Sequence, residues 1–438
     1  MANPRLVAFE ALNKTLKDGA FSNLALDAVL SKSDLDTRDK SFVSNLFYGV
    51  IERLLTIDYQ LSLYLSKPLK KLKPEVLTIM RIGAYQILFM DKVPDSAAVN
   101  ESIKLSKKNG ASFASGLINA VLRKVAGNGI KLPENSNSAE YLSIRYSCPL
   151  WLIEKWTDEY GVEDTIAFLD SSLGSVDTFI RVNTTKISDD DLIALLNDEG
   201  VASEKTYNEH TLKISLKGHD IEKLESFKKG YYHVQDMASQ LCAKALGANE
   251  GDIVFDLCSA PGGKAYTVAE TMNDIGKVLC FDIYENRVSL IIKGAERLGL
   301  KSIEGRAGDA SVFNPALGLA DKVLCDVPCS GLGIIRRKPE IKYKSEEELS
   351  DLPDIQYSIV NNASKYVKQG GRLVYSTCTL SKAENEDIVA KFLRNHTDFK
   401  AVPVFPENSD VTNITLMPHK NGSDGFFIAC FERDDKND

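Results

Sequence analysis

Two cysteines stand where a thiol can meet a ligand: Cys329 in Asp326-Val327-Pro328-Cys329-Ser330-Gly331, and Cys378 in Ser376-Thr377-Cys378-Thr379. Each follows an apolar stretch that reads as a strand and sits in the loop beyond it, so its sulfur is expected to face a cleft. Cys280 and Cys325 lie inside apolar stretches and fit burial, the default use of this side chain. A thiolate is a strong nucleophile, and substitution at C5 of a pyrimidine is one reaction that needs it. C5 is a poor nucleophile until a thiolate adds to C6, which turns C4-C5-C6 into an enamine able to attack an electrophilic methyl group. A carboxylate near N3 and the exocyclic amine stabilises the charge that develops on the ring, a task suited to Asp326. A base then removes the C5 proton and the thiolate leaves by elimination, with a second cysteine able to assist. These residues alone leave open which sulfur attacks.

A further set of residues suits the methyl donor. The stretch Asp252–Leu257 ends in Cys258-Ser259-Ala260-Pro261-Gly262-Gly263-Lys264. Its two glycines allow close backbone approach, and the helix that follows offers free N–H groups and a positive dipole end to a carboxylate. Asp282 ends the next strand, 20 residues beyond Gly262, where an acid can grip both hydroxyls of a ribose. Asp309 follows the third strand and Asp326 the fourth. Singly these are common turn devices; four successive strand ends that bring polar or glycine groups to one rim are not. Neither the GxGxxG nor the P-loop spacing occurs, which disfavours a dinucleotide or a nucleoside triphosphate.

Loops of this kind need a scaffold that delivers them together. From Gly251 onward, strand and helix signals alternate: DIVFDL, the helix after Lys264, KVLCFD, a helix over Glu285–Leu298, DKVLCDV, a helix over Ile355–Val367, and GRLVYST. Such alternation predicts a parallel, doubly wound sheet whose ligands gather at the carboxyl ends of its strands. The final DGFFIACFE is expected to close the sheet edge. Residues 141–230 read as a small α+β subdomain, with a strand over Thr178–Val182 and a helix over Asp189–Asn197 capped by Ser188. Gly127–Glu140 loses periodicity, gathers Gly, Pro, Asn and Ser, and reads as a linker. Ahead of it, Leu6, Phe9, Leu12 and Leu16, then Phe113, Leu117, Val121 and Val125, make stripes that should meet in a helical bundle.

Composition sets the outer bounds. With 438 residues, 44% apolar and 26% charged, the chain suits two or three globular domains. The net charge of -8 is divided unevenly. Residues 1–130 hold 18 Lys+Arg against 12 Asp+Glu, and residues 131–438 hold 35 against 49, a balance of +6 and -14. The basic front suits RNA docking, with Lys104, Lys107, Lys108, Arg123 and Lys124 as a candidate phosphate-facing patch. Eight cysteines without a CxxC pair or a His/Cys cluster argue against structural zinc and against a disulfide framework. Met1–Leu12 lacks the layout of a signal peptide, and no apolar run reaches the roughly 18 residues of a membrane span. A cytoplasmic, metal-free monomer is expected.

Taken together, YYHVQDMASQ, FDLCSAPGGKA, FDIYENR, AGDAS, CDVPCSGLGIIRRKPEIKY, YSTCTL and DGFFIACFER resemble the NOL1/NOP2/Sun family of RNA cytosine-C5 methyltransferases over nearly the whole chain. RDKSFVSNLFYGVIER and ASFASGLINAVLRKV resemble the NusB-type helical domain that opens one subfamily. The resemblance implies an all-α NusB-like RNA-binding domain over 1–130 and an RRM-like α+β subdomain over 141–230. Over 231–438 it implies an α/β, Rossmann-like class I methyltransferase domain. It also implies S-adenosyl-L-methionine as cofactor and 16S ribosomal RNA as substrate. By the same resemblance Cys378 is the nucleophile and Cys329 helps to release product. Cys258, Ser259, Ala260, Pro261, Gly262, Gly263, Lys264, Asp282, Arg287, Asp309 and Asp326 contact the cofactor. Arg181, an RNA-binding candidate, and Asn183 match a family segment near the RNA-side subdomain, and Arg336, Arg337 and Lys338, just after the PC motif, are placed to hold the backbone of a flipped cytosine. Val327 and Ser259 depart from the alanine usual at those positions. A transfer-RNA or large-subunit RNA substrate is the nearest alternative. A non-catalytic RNA-binding assembly factor is disfavoured by the presence of both cysteines, and an NAD-dependent oxidoreductase by the missing glycine fingerprint.

Overall fold

Apolar residues three and four apart fold the front of the chain into helices over Pro4–Asp18, Ser22–Leu30, Thr37–Glu52, Leu54–Ser62, Pro74–Phe89, Asp95–Lys108 and Ser115–Asn128. Asp36 starts the third by accepting from Asp39 N at 2.8 Å, and Pro74 opens the fifth where a missing N–H costs nothing. The computed structural model describes residues 3–18, 22–136, 138–174, 176–216, 218–407 and 409–435. It divides into Met1–Leu173 with Arg337–Lys344, and Gly174–Arg336 with Ser345–Asp438. In the first unit, Leu12, Phe47, Ile57, Met80, Ile118 and Leu122 belong to one core. Phe113 and Leu117 depart from the expected stripe and are exposed. The last of these helices begins only at Ser115, and its inward face is Ile118, Val121, Leu122 and Val125.

Two further segments complete this unit. Helices Ala139–Tyr146, Leu150–Tyr160 and Val162–Ser171 continue it, held where Thr56 Oγ1 donates to Ile144 O at 2.5 Å and Leu55 N to Ser147 Oγ at 2.8 Å. Residues 141–173, expected to open the α+β subdomain, are therefore helical and packed here. The expected linker is pinned by Gln60, which donates to Lys131 O and accepts from Lys131 N; its Asn137 lies outside the described residues. Arg337–Lys344 is the second segment, a strap a few residues beyond the Cys329 loop. Lys342 Nζ donates to Glu52 O and Tyr343 OH to Ile51 O, each at 2.8 Å. Burial pushes the Lys342 ammonium down to about 8.

The other unit carries two sheets. Strands β1 (Thr178–Val182), β2 (Ala202–Lys205), β3 (Thr211–Ser215) and β4 (Tyr232–Val234) form an antiparallel sheet in the order β2-β3-β1-β4. Alternation sends Ile180, Val182, Leu212 and Ile214 into a core with Leu192 and Leu196 of helix Asp189–Asp198, whose N-cap is Ser188 as expected. Strands β5 (Ile253–Asp256), β6 (Lys277–Asp282), β7 (Ile303–Ala307), β8 (Ala320–Asp326) and β9 (Val367–Thr377) are parallel in the order β7-β6-β5-β8-β9. The direction of winding reverses between β5 and β8, the position where open α/β sheets bind ligands. β10 (Phe399–Ala401), β11 (Asn413–Leu416) and β12 (Phe426–Arg433) follow, with β12 antiparallel to β9. The expected edge strand is thus internal: β12 is buried from Phe426 to Phe431, and β10 stands outside it.

Tyr343→Phe removes the hydroxyl donor to Ile51 O in a buried setting and is expected to cost about 1–2 kcal/mol. A lower urea midpoint for unfolding would show the loss; an unchanged midpoint would mean that the strap's hydroxyl does not hold it.

Candidate active site

Residue pairing between β8 and β9 sets the site. Asp326 lies opposite Ser376, so both strands end together and their loops leave side by side. Val327 N donates to Ser376 O at 3.1 Å and Gly333 N to Cys378 O at 3.0 Å, which extends the contact past the sheet. Cys329 Sγ and Cys378 Sγ thereby meet at 3.2 Å, both half-buried. The hydrogen bond to Cys378 holds the Cys329 thiol well above its usual range, reinforced by burial and by the charges of Glu384 and Asp326.

Asp326 is anchored rather than loose. Its Oδ1 accepts from Ser376 Oγ at 2.9 Å and its Oδ2 from Lys264 Nζ at 2.5 Å. Burial works against the Lys264 ammonium, yet Asp326, with Cys242 and Asp256, more than offsets it and holds the group above its usual range. The Lys264 head also lies 5.1 Å from the centre of the Phe426 ring.

The loop from Cys258 to Lys264 joins β5 to helix Gly263–Thr271. Gly262 takes φ +109°, and a Cβ there would come within 2.4 Å of Tyr266 Oη, whose proton goes to carbonyls at Pro261 and Ile291. Asp282, 5% exposed at the end of β6, pairs with Arg287 Nη1 at 3.1 Å. Arg287 Nη2 donates to Ala260 O at 3.0 Å, so one guanidinium joins the acid to the loop. A cavity of about 280 Å³ beyond Asp282 is bordered by Leu257, Phe281, Val312, Asn362 and the backbone around Asp309. Asp309 is exposed, and hydrogen bonds from Ser311 hold its carboxyl below the usual range.

A second cavity, about 210 Å³, is lined by Asp326, Lys264, Ser259 and a carboxylate that the motif reading passed over, Asp256. This side chain is 1% exposed and neither oxygen has a hydrogen-bond partner. Burial pushes its carboxyl up to about 7. The available signal was an acid at the end of an otherwise apolar strand, which reads equally well as a turn residue.

The basic residues fall elsewhere. Arg181 is buried, its Nε 3.5 Å from Glu270 and its Nη1 donating to Glu209 O, so its charge is used inside the unit and not on an RNA-facing surface. Asn183, fully buried, donates to Gly230 O and Leu298 O. Arg336 and Arg337 are partly buried and Lys338 is exposed; Arg337 and Lys338 open the strap of the helical unit.

Residues 243–432 match the family described as 16S rRNA methyltransferase RsmB/F, residues 2–127 the NusB family, and residues 148–218 the ferredoxin-like domain of the RsmF/B-like methyltransferases. The probable ribosomal RNA small subunit methyltransferase B of Bacillus subtilis (strain 168) is 34% identical over 98% of each chain. Its counterpart from Synechocystis sp. (strain PCC 6803) is 32% identical over 99% of this chain and 100% of the relative. The crystal structure of PH0851 matches 99% of each chain with a TM-score of 0.83 and 27% identity.

Asp256 offers a test that needs no substrate. Its folded-state pKa, about 7, lies above the ordinary 3.8, so the unfolded chain releases this proton first and stability falls as pH rises from about 4 toward 7. Asp256→Asn is expected to gain urea stability over the wild type at pH 8, a gain that shrinks toward pH 4; a difference independent of pH would refute the assignment.

Proposed function

The chain belongs to the 16S rRNA methyltransferase RsmB/F family, and from that premise we propose that it methylates C5 of a specific cytosine in 16S ribosomal RNA through a transient bond between Cys378 Sγ and C6 of the ring. The observation that carries this reading is the pair of sulfurs 3.2 Å apart at the carboxyl rim of the sheet, in loops that leave β8 and β9 just past Asp326 and Ser376.

The residues fit S-adenosylmethionine. Asp282 is an acid at the end of the second strand, where two ribose hydroxyls would be gripped, and the cavity edged by Leu257, Phe281 and Val312 suits an adenine ring. Gly262 keeps the loop open to a ligand, and the orphaned Asp256 oxygens suit an ammonium group. When bound, this cofactor supplies an electrophilic methyl group.

Cys378 Sγ, deprotonated, bonds to C6, and the C5=C6 electron pair becomes available at C5. Asp326, at N3 and the exocyclic amine, stabilises the ring as its charge changes. Once C5 carries the methyl group, a base takes the C5 proton. The electron pair of that C–H bond re-forms C5=C6 while the S–C6 bond breaks, returning Cys378 to its thiolate. Cys329, kept protonated, donates to the departing sulfur and makes it a better leaving group. The target base must first leave its stack, since a thiol cannot reach C6 within one. Exposed Lys107, Lys108, Arg123 and Lys124 on the helical unit supply phosphate contacts.

Labelled cofactor and deproteinised small-subunit RNA test the roles. Cys378→Ala is expected to transfer no methyl group, and Cys329→Ala to accumulate a protein–RNA adduct that survives denaturing electrophoresis. Wild-type activity in Cys378→Ala would overturn the proposal. Asp326→Asn should lower kcat by about 10²–10³, measured at saturating RNA and cofactor; a change under threefold would remove Asp326 from the chemistry.

A further inference from the structure

Strand register and the bonds from Val327 N and Gly333 N bring the two loops together, but no strand pairing includes Cys329 or Cys378, so the spacing of the sulfurs needs a further brace. Glu384 lies in a short turn, Lys382–Glu384, and is 4% exposed. Its Oε1 accepts from Ser330 Oγ at 2.6 Å, and its Oε2 accepts from Ser330 N and Gln356 Nε2, both at 2.9 Å. Gln356 Nε2 also donates to Pro328 O at 3.0 Å. Every anchored atom belongs to, or braces, the loop that carries Cys329.

On its other side the turn holds the end of β9, and Asn385, the residue after it, holds the Cys378 loop. Tyr375 OH donates to Glu384 O at 2.6 Å, and Asn385 Nδ2 to Thr379 O at 3.0 Å. Ser330 Oγ gives its proton to Glu384, so Thr379 Oγ1 is the donor in their 2.6 Å contact. The donors to the carboxylate are all neutral, so its charge is satisfied by hydrogen bonds and not by a cation.

We infer that Glu384 is a positioning residue: its buried carboxylate clamps the Pro328–Ser330 loop to the Thr377–Leu380 loop and so sets the distance between Cys329 and Cys378. This rests on the proposed roles of the two sulfurs, but the clamp can be tested without them. Gln can keep the geometry: its oxygen takes the place of Oε2, and its amide faces Ser330 Oγ, which can accept. Ala leaves Ser330 N and Gln356 Nε2 without their acceptor.

The test has two readouts. Diamide oxidises the thiol pair to a disulfide, two electrons and two protons passing to its N=N bond, at a rate that depends on thiolate fraction and on how often the sulfurs meet; Glu384→Gln and Glu384→Ala remove the same charge, so the difference between them reports the meeting. Alkylation and mass spectrometry of full-length protein are expected to show Cys329–Cys378 bridging at least tenfold slower in Glu384→Ala and within threefold of wild type in Glu384→Gln. In methylation assays, Glu384→Ala should lose kcat about 10²-fold, as an ångström of misplacement does, with KM for S-adenosylmethionine within twofold, while Glu384→Gln keeps kcat within fivefold. Should Glu384→Ala fail to fold, Ser330→Ala, which cuts the link to Oε1 from the other side, is expected to slow bridging at least threefold. Wild-type bridging in Glu384→Ala, or in Ser330→Ala if that variant must stand in, overturns the clamp; so does equal loss in Gln and Ala. If the wild type methylates no cytosine at all, the proposed reaction fails, while the bridging rates still decide the clamp.

Discussion

Parallel pairing of β8 with β9 is the constraint on which the site depends. The register that sets Asp326 opposite Ser376 makes both strands stop at one level, and the 49-position separation of the cysteines disappears as a distance. In a parallel pair the two carboxyl-end loops are not joined by a tight turn: the loop after β8 opens a long crossover that includes helix Leu352–Ala363, and the loop after β9 leads on to helix Glu386–Asn395. The two sulfurs therefore come from loops that are remote in the chain and adjacent in space. Gly333 shows how tightly the two are fitted: a Cβ there would lie 2.1 Å from Gly425 O and 2.9 Å from Cys378 O.

Around this frame, buried carboxylates are satisfied in different ways, and the difference sorts their roles. Asp326 faces Lys264, and Glu270 faces Arg181 and His233, so those charges are balanced locally. Glu384 takes neutral donors only, which secures geometry yet leaves a negative field beside Cys329 and helps to keep that thiol protonated. Neither oxygen of Asp256 has a well-formed hydrogen bond, and Ser259, Lys264 and the Cys258 backbone offset its burial only in part. An unpaired buried acid costs stability, and such groups persist chiefly where a ligand completes them.

Legibility in the sequence followed the strength of local signals. Strands such as KVLCFD, with apolar runs bounded by turn residues, and the helix over Glu285–Leu298 were readable to within a residue or two. So was the convergence of Gly262, Asp282 and the cysteine loops on one rim, because doubly wound topology dictates it. Partners separated in sequence were not readable. The acid of AENE gives no sign that Ser330 and Gln356 will meet it. Likewise RRKPEIKY reads as a basic loop, yet its later half is a strap whose lysine and tyrosine are satisfied by carbonyls of Glu52 and Ile51. DGFFIACFE announced a buried strand, but its neighbours β10 and β11 are short and polar enough to pass as loop.

The small antiparallel sheet shows how a fold-level likeness can mislead about recognition. In an RRM, the sheet face away from the helices stacks bases. Here alternation puts Arg181, Thr211 and His233 on that face, and each meets a residue of the larger α/β part: Arg181 and His233 meet Glu270, and Thr211 donates to Gln240 at 2.6 Å. Asn183 and Arg297 tie the rim, Asn183 donating to Leu298 O and Arg297 to Tyr232 O. The part of the face around Arg181, Thr211 and His233 is thus taken up by protein and not open to nucleotides. The subdomain's contribution is then to brace helix Gly263–Thr271, which carries Lys264 at one end and Glu270 near the other, and through Lys264 to fix Asp326 beside the cysteines. Under the proposed reaction, selection of a base falls to what remains open at the rim, where Asp326 is held by Lys264 and by Ser376 of the sheet that positions the sulfurs.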